Sequence, residues 1–223
     1  MTNEKFVFDE DTHTYRLGDR VIPGHTRVLD MGGLVPYGAI APDILERKSA
    51  IGRAVHFACF LHDEGKPFTS DPHIRGYIDA WIDFRKQTGF TPSLREHRDL
   101  YCFNGLPFGM QIDALGKFPG LHVQEAVVEI KTCSTILPHH GVQLAAQAAG
   151  VEAKDRKGSA LDSYQARFFV RARYVCQLFE TGRWKLHQFK QAADLETFEH
   201  ALALTYWKLE HEHVYRVMEE ANA

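Results

Sequence analysis

The stretch 127–132, VVEIKT, decides which fold this chain can adopt. A short apolar run of this kind predicts a buried strand. Side chains alternate across a strand, so Glu129 and Lys131 project from one face while Ile130 projects from the other, into a core. With Asp113 upstream, such an arrangement suits a hard cation such as Mg²⁺ or Mn²⁺, and the lysine can orient a water. An isolated E-x-K triplet is more typical of an ordinary edge-strand salt bridge.

Two more strands are predicted just before this stretch. The Asn-Gly pair at 104–105 is a two-residue hairpin signal. Strand-like runs lie on either side of it, at 94–103 and 106–116. Glu96 lies on the first run and Asp113 on the second, so three successive strands carry acidic residues.

The rest of the chain predicts helices and hairpins around these strands. Polar residues without periodicity at 152–164 predict a mobile loop. Pro72 after Asp71 predicts a capped helix start, and Gly89 its end. Helices are predicted at 27–31 after a Thr26 cap, 43–64, 71–88, 142–149 and from an Asp194 cap to about 220, with hairpins at 5–22, turning at 18–19, and at 167–189.

Composition and cysteine usage exclude several classes of protein. The net charge of −3 over 223 residues argues against a uniformly basic surface but allows a local basic groove. The polar start, without a long apolar segment, predicts a cytoplasmic protein with no membrane partner. The four cysteines are widely spread and form no C-x-x-C pair, and disulfides are not expected in the cytoplasm.

The motifs, in their order along the chain, resemble the PD-(D/E)xK nuclease superfamily, in particular its RecB-like and phage-type exonuclease branch. The likeness extends from about residue 6 to about residue 150. No single motif is specific, but their order and spacing together are. The matching residues are Gly52 and His56 of the Gly-x-x-x-His helix, Asp113 of the strand aspartate motif, Glu129 and Lys131 of the (D/E)-x-K strand, and Gln143 of the Gln-x-x-x-Tyr helix.

The resemblance implies a fold and a domain organisation. The fold is α/β with a restriction-endonuclease-like core, in which helices flank a mixed central sheet. We expect one domain over residues 1–223, with its core at about 48–190. The N-terminal hairpin and the C-terminal helix would pack on that core.

The resemblance also implies roles for the site residues. The Asp113 and Glu129 carboxylates and the Ile130 carbonyl would hold Mg²⁺ or Mn²⁺, and Glu96 and His56 would complete a second metal site. Lys131 would position the attacking water. When no metal is bound, it is expected to be an unpaired buried charge. Lys131→Ala is therefore expected to raise the melting temperature slightly. Gln143 would bond to the substrate backbone or to the lysine.

The function implied is a metal-dependent deoxyribonuclease, an exonuclease of phage or prophage type acting in DNA recombination, repair or processing. DNA would be the partner, and a single-strand-annealing or other recombination protein and an oligomer are compatible with it. Some members carry an iron–sulfur cluster on a close C-terminal cysteine trio, which this chain lacks, so no cluster is expected. Two alternatives stay open: a non-catalytic nucleic-acid-binding protein with the nuclease fold, and a sequence-specific endonuclease.

Arginines supply candidate contacts to the DNA backbone. Arg167, Arg171 and Arg173 alternate with apolar residues on a predicted strand, which indicates a phosphate-binding stripe or, equally, a plain exposed face. Arg53 would join them in a basic rim. His139-His140 are poorly placed as paired metal ligands and are expected to be solvated.

Two positions depart from the family pattern. Gln147 stands where the family has the tyrosine of its Gln-x-x-x-Tyr motif. One extra residue separates Gly109 from Asp113, so a bulge is expected there to aim the carboxylate.

Overall fold

The computed structural model describes residues 5–10, 12–35, 41–68, 71–120, 125–155 and 171–212. Within them, the chain forms a five-stranded mixed sheet flanked by helices and a separate three-stranded antiparallel sheet. The predicted α/β class with a mixed central sheet is therefore confirmed. In chain order the elements are β1 (Phe6–Asp9), β2 (Thr14–Leu17), β3 (Arg20–Ile22), α1 (His25–Met31), α2 (Pro42–Asp63), α3 (Pro72–Thr88), β4 (Thr91–Phe103), β5 (Leu106–Lys117), β6 (Ala126–Lys131), α4 (His139–Asp155), β7 (Arg173–Leu178), β8 (Trp184–Phe189) and α5 (Ala193–Glu210).

The N-terminal segment forms three strands instead of a single hairpin. Strands β2 and β3 are joined by the predicted turn, where Gly18 has a φ of +58°. Strand β1 adds to the other edge of β2, in antiparallel register from Phe6↔Leu17 to Asp9↔Thr14.

The five-stranded sheet has the order β4-β5-β6-β7-β8, in which β6 and β7 are parallel and all other neighbours antiparallel. The β4–β5 hairpin turns at Asn104 and Gly105, with φ values of 51° and 79°. Two positive φ angles are what a tight primed turn requires, so the predicted hairpin is confirmed. Parallel strands need a crossover connection, and α4 belongs to the one between β6 and β7.

Two hydrophobic clusters cover the two faces of this sheet. Helices α1, α4 and α5 pack on one face and helices α2 and α3 on the other. The alternation predicted for β6 is present, because Val127 enters the first cluster and Val128 the second. Ile130 is 3% exposed and belongs to the α2–α3 cluster, as its position in the stretch predicts.

Helix ends follow the sequence in some places and depart from it in others. The Asp71 carboxylate accepts a hydrogen bond from the His73 amide at 2.9 Å, and Gly89 ends α3 in the left-handed conformation, both as predicted. Helix α5 is capped at Ala192, so the predicted Asp194 cap is wrong, and Asp194 lies in the first turn. The predicted end near residue 220 lies outside the described residues.

Helix α4 is longer than its sequence pattern predicts. It begins at His139 and continues to Asp155, so the first four residues of the predicted 152–164 loop are helical. The remainder of that loop from 156 lies outside the described residues. His140 is buried, and its Nδ1 accepts a hydrogen bond from the Leu137 amide at 2.9 Å, so the expectation of a solvated histidine is wrong. Among the described residues, none of the helices has both the length and the apolar character to cross a membrane.

Candidate metal centre

The site forms where strands β5 and β6 separate. Their pairing covers only Ala114↔Val128 and the two pairs before it along β6. One position further, Asp113 Oδ2 accepts a hydrogen bond from the Ile130 amide at 2.8 Å. The side chain of Asp113 thus replaces a backbone partner, and the opening exposes the ends of both strands to a cleft.

Glu96 lies opposite Asp113 on β4, between the pairs Arg95↔Ala114 and His97↔Ile112. Its φ of +45° is in the left-handed region, which non-glycine residues rarely adopt. Such a conformation costs about 1–3 kcal/mol and is concentrated at functional sites.

The bulge expected between Gly109 and Asp113 is in a different place. Gly109 through Ile112 pair in register with β4, and the register shift lies between Pro92 and Leu94. Gly109 serves another purpose, because a Cβ there would lie 2.1 Å from Cγ of Tyr15. The missing side chain lets the three-stranded sheet pack directly against β5.

His56 on α2 completes a group of three candidate ligands. Its Nδ1 lies 3.5 Å from Glu96 Oε1 and 3.4 Å from Asp113 Oδ1, and one ligand atom from each residue lies within 4.8 Å of the others. Its Nε2 lies 3.0 Å from the Ile130 carbonyl oxygen. Because a carbonyl can only accept, Nε2 carries a proton, and Nδ1 is the ring nitrogen that faces the two carboxylates and would face a bound cation.

The protonation of this group reflects its crowded charges. Burial alone would lower the pKa of His56, but Asp113 and Glu96 raise it well above its ordinary value. Burial and the nearby Glu129 raise the pKa of Asp113 to about 6, against the opposing effect of His56. A positive charge between the two carboxylates is therefore favoured, and a divalent cation would take the place of the imidazolium proton.

The expectation that the Glu129 carboxylate joins Asp113 and the Ile130 carbonyl on one cation stays a prediction, and within the protein this carboxylate is held by three nitrogen donors. Glu129 is 3% exposed and stands outside the group of three. Its Oε1 accepts from Lys131 Nζ at 2.7 Å and Gln143 Nε2 at 2.6 Å, and its Oε2 from Gln147 Nε2 at 2.8 Å. Burial would raise the pKa of Glu129, but Lys131 and the amide of Gln147 lower it to about 2.

Lys131 is paired with Glu129, so the expectation of an unpaired charge is wrong. Burial would lower the pKa of Lys131, but Glu129 and Asp113 raise it above its ordinary value. Gln143 bonds to Glu129 and not to the lysine. Gln147, in place of a tyrosine, is fully buried and donates to both Glu129 and the Gln111 carbonyl.

The centre opens into a cleft of about 1250 Å³ between the three-stranded sheet, α1, α2 and the β4–β5 hairpin. Arg27 and Arg53 are exposed on its walls, so the predicted position of Arg53 beside the site is supported. Arg98 also lines the cleft and donates to Glu10 and, at 2.6 Å, to Gln111 Oε1. The Gln111 amide in turn donates to Glu96, so this chain of contacts joins the three-stranded sheet to a candidate ligand.

The other predicted arginines do not form a surface stripe. Arg171 and Arg173 are 5% and 4% exposed, and each is held in a buried ion pair, with Glu152 at 3.2 Å and Asp194 at 3.0 Å respectively. Buried charges need such partners, so these arginines tie α4 and α5 to the sheet. Neither is among the described residues of the cleft lining, and Arg167 lies outside the described residues.

Sequence reasoning missed Arg27, Arg98 and Gln111 as cleft residues. For Arg98 a signal exists, because it lies two positions after Glu96 on the same predicted strand and so shares its face. No comparable signal exists for Arg27, which reaches the cleft only because α1 packs beside the sheet.

Comparison with known proteins adds little to this geometry. No family model and no curated protein matches the chain. Among solved structures, the crystal structure of SSO0001 aligns over 57% of this chain and 56% of its own length, with 14% sequence identity and a TM-score of 0.33. At that TM-score the likeness supports no conclusion about fold or function.

Proposed function

We propose that this chain is a metal-dependent deoxyribonuclease of PD-(D/E)xK type with a restriction-endonuclease-like core, acting in the cytoplasm as an exonuclease of phage or prophage type. One observation carries the proposal. The His56–Glu96–Asp113 group lies beside the Glu129–Lys131 pair at the point where two strands separate into a cleft. An acidic group that can bind a cation, next to a fixed ammonium, suits phosphodiester hydrolysis.

The donor set fits a hard divalent cation. Two carboxylates supply the oxygen ligands that Mg²⁺ and Mn²⁺ prefer, and the imidazole of His56 favours Mn²⁺ of the two. The Ile130 amide and carbonyl hold Asp113 and His56 in orientation. A cation bound here would polarise the scissile phosphate and lower the pKa of the attacking water.

Lys131 and its neighbours would position the reacting groups. The raised pKa of Lys131 keeps it protonated, so it acts as a donor and a positive charge and not as a base. Gln143 and Gln147 hold the Glu129 carboxylate, which in turn fixes the ammonium. The ammonium can then offset the negative charge that develops on the phosphate in the transition state.

DNA is the proposed substrate because the cleft combines this centre with exposed arginines on its walls. Arg27 and Arg53 are exposed beside it and would contact backbone phosphates. A recombination protein that acts on the same DNA ends is the proposed partner. Binding of this kind is sensitive to salt, so affinity should fall steeply between low and moderate ionic strength.

The test is nucleotide release from matched linear and circular DNA, single- and double-stranded, with Mg²⁺ or Mn²⁺. An exonuclease degrades the linear forms and leaves the circles intact. Cleavage of circles at defined positions would assign a sequence-specific endonuclease instead. Absence of cleavage on every form would refute the nuclease proposal.

A second candidate is a nucleic-acid-binding protein without turnover. It is favoured by the state of Glu129, whose carboxylate is occupied by three nitrogen donors and stands outside the candidate ligand group. If this is the function, DNA binds in the cleft with the same affinity whether or not Lys131 is replaced by alanine, and no nucleotide is released.

A further inference from the structure

Phe57 is an exposed aromatic residue placed directly beside the candidate metal centre. Its side chain is 62% exposed, the largest value among the exposed large hydrophobic residues of the described chain. It follows His56 on α2 and lines the same cleft. A lone exposed hydrophobic residue is commonplace, so its location and its neighbours must carry any argument.

Those neighbours form a stripe along α2. Arg53, His56, Phe57 and Phe60 have the spacing i, i+3, i+4 and i+7, which puts them on one face of a helix, and all four line the cleft. Along the stripe an exposed cation precedes the candidate ligand, and an exposed ring and a half-buried ring follow it. One wall of the cleft therefore carries, in order, a positive charge, a candidate metal ligand and a flat apolar ring.

We propose that Phe57 is a stacking platform for an unpaired nucleobase and that the substrate is therefore single-stranded DNA or a frayed strand end. The inference rests on the proposed function, since a phosphate held between the His56–Glu96–Asp113 centre and Arg53 is what would bring the attached base to the neighbouring ring. An aromatic face accepts any base, because every base has a π-face. A base in a duplex is already stacked and paired, so only an unpaired base can use this surface without first being extracted.

The charges around Phe57 favour a nucleic acid over a second protein chain as its occupant. Arg27 and Arg53 are exposed on the cleft walls, where Asp30 and the Arg98-paired Glu10 are the exposed acids, while the carboxylates of Glu96 and Asp113 lie deeper, grouped with an imidazole. The phosphates of a nucleic acid would contact the exposed arginines, and a cation bound to those phosphates would contact the deeper carboxylates. The exposed ring then meets the one apolar, flat part of a nucleotide.

The test measures binding by fluorescence anisotropy, with Ca²⁺ in place of Mg²⁺ so that binding is observed without turnover. The probes are a short labelled single strand of mixed sequence, the same strand with abasic positions, and the blunt duplex. Phe57→Ala should weaken binding of the mixed-sequence strand by about 5- to 150-fold, the range that stacking of one base supports, and Phe57→Trp should preserve it. Binding of the abasic strand and of the duplex should be the same for Phe57→Ala and wild type.

Trp207→Ala is the matched control, because Trp207 is another exposed aromatic residue, at 49%, and is not among the described cleft-lining residues. It should leave all three affinities unchanged. Equal loss of single-strand, abasic and duplex binding in Phe57→Ala, or no loss at all, would overturn the proposal. A change in oligomeric state with unchanged DNA affinity would also overturn it, by assigning Phe57 to a contact between protein chains.

Nucleotide release by the wild-type protein separates this inference from the proposed function. If wild type cleaves DNA and Phe57→Ala cleaves and binds single strands equally well, the stacking platform is refuted and the nuclease stands. If single-strand binding depends on Phe57 but nothing is cleaved with Mg²⁺ or Mn²⁺, the nuclease is refuted and the stacking platform stands.

Discussion

Asp113 accepts a hydrogen bond from the Ile130 amide at 2.8 Å, on a strand that has just ceased to pair with its neighbour. The carbonyl of the same Ile130 lies 3.0 Å from His56 Nε2. One peptide segment therefore orients two candidate ligands, and the burial of the Ile130 side chain fixes that segment. This explains how an apolar residue in the middle of the VVEIKT stretch contributes to a polar site.

Lys131→Ala should abolish nucleotide release and lower the free energy of unfolding. The sequence predicts that this change raises the melting temperature, but the ion pair at 2.7 Å predicts that it lowers stability. Removing the lysine leaves a buried Glu129 carboxylate without its cation. The cost is about 1–3 kcal/mol, less than for a fully buried pair, since the Lys131 side chain is 24% exposed. Urea unfolding and a nuclease assay on the same preparation measure both effects.

Lys117→Ala is the control for that change, because Lys117 also ends a strand of the sheet but is exposed. It should keep full activity and alter stability by no more than about 0.5 kcal/mol. Full activity in Lys131→Ala would remove the lysine from the mechanism.

Gly52→Ala should stabilise the protein and impair cleavage. A Cβ at Gly52 would meet only Thr132 Oγ1, at 3.8 Å, so the change fits within α2 and should gain about 0.5–1 kcal/mol from helix propensity. Gly52 nevertheless lines the cleft next to the strand end that carries Lys131. The absence of a side chain thus serves the approach of a substrate, and a rise in KM of about tenfold is expected from kinetics on linear DNA.

Gly76→Ala is the contrasting helical glycine. A Cβ there would lie 1.7 Å from the Glu180 carbonyl oxygen, so this variant should lose about 2–3 kcal/mol of stability through forced displacement of the 180–182 turn. Unchanged kinetics in Gly52→Ala would mean that no substrate approaches the helix at that point.

Glu10→Gln should strengthen DNA binding. Glu10 pairs with Arg98 on the cleft wall and so occupies a guanidinium that would otherwise contact a phosphate. Releasing it should tighten binding by roughly 5-fold and steepen the salt dependence by about one phosphate contact. Salt titrations of affinity test this, with Glu46→Gln, an exposed residue of α2, as the control for the same loss of charge. An equal gain in DNA affinity in both variants would mean that the change in net charge alone explains the result.

His140 should lower the free energy of unfolding as the pH falls from about 7 to 5, whereas His56 and Asp113, whose folded-state pKa values are raised, act in the opposite direction. Burial and the neighbouring Lys131 lower the pKa of His140 to about 4, from an ordinary value of 6.5. In this window the unfolded chain binds a proton that the folded protein excludes, which costs about 1–2 kcal/mol. His140→Asn should remove this part of the slope, measured by urea unfolding at both pH values. Parallel slopes for variant and wild type would contradict a neutral buried histidine.

The strands of the central sheet were predictable because their signals are local. The Asn104-Gly105 turn and the alternation in β6 depend on a few adjacent residues, and both are confirmed. The predicted cap at Asp194 failed because a tertiary contact dominates there. Aspartate is a residue type that commonly caps helices, yet Asp194 pairs with Arg173 from a neighbouring strand instead.

The candidate site was predictable only as a set of residues and not as a geometry. Sequence order placed Asp113 and Glu129 on neighbouring strands, but which of them joins His56 depends on where the strands separate. The burial of Arg171 and Arg173 depends on α4 and α5, which an alternating pattern on one strand does not specify. The single-domain boundary of 1–223 stays a prediction.

The most direct test of the central claim measures nucleotide release from linear DNA during Mn²⁺ titration of wild type and Asp113→Ala, alongside melting temperature. Wild type should gain activity and thermal stability together as the cation binds the His56–Glu96–Asp113 group. Asp113→Ala should lose both responses, whereas Asp30→Ala, which removes an exposed carboxylate from the same cleft, should keep them. Wild-type levels of both responses in Asp113→Ala, or no cleavage by wild type at any Mn²⁺ concentration, would contradict the claim.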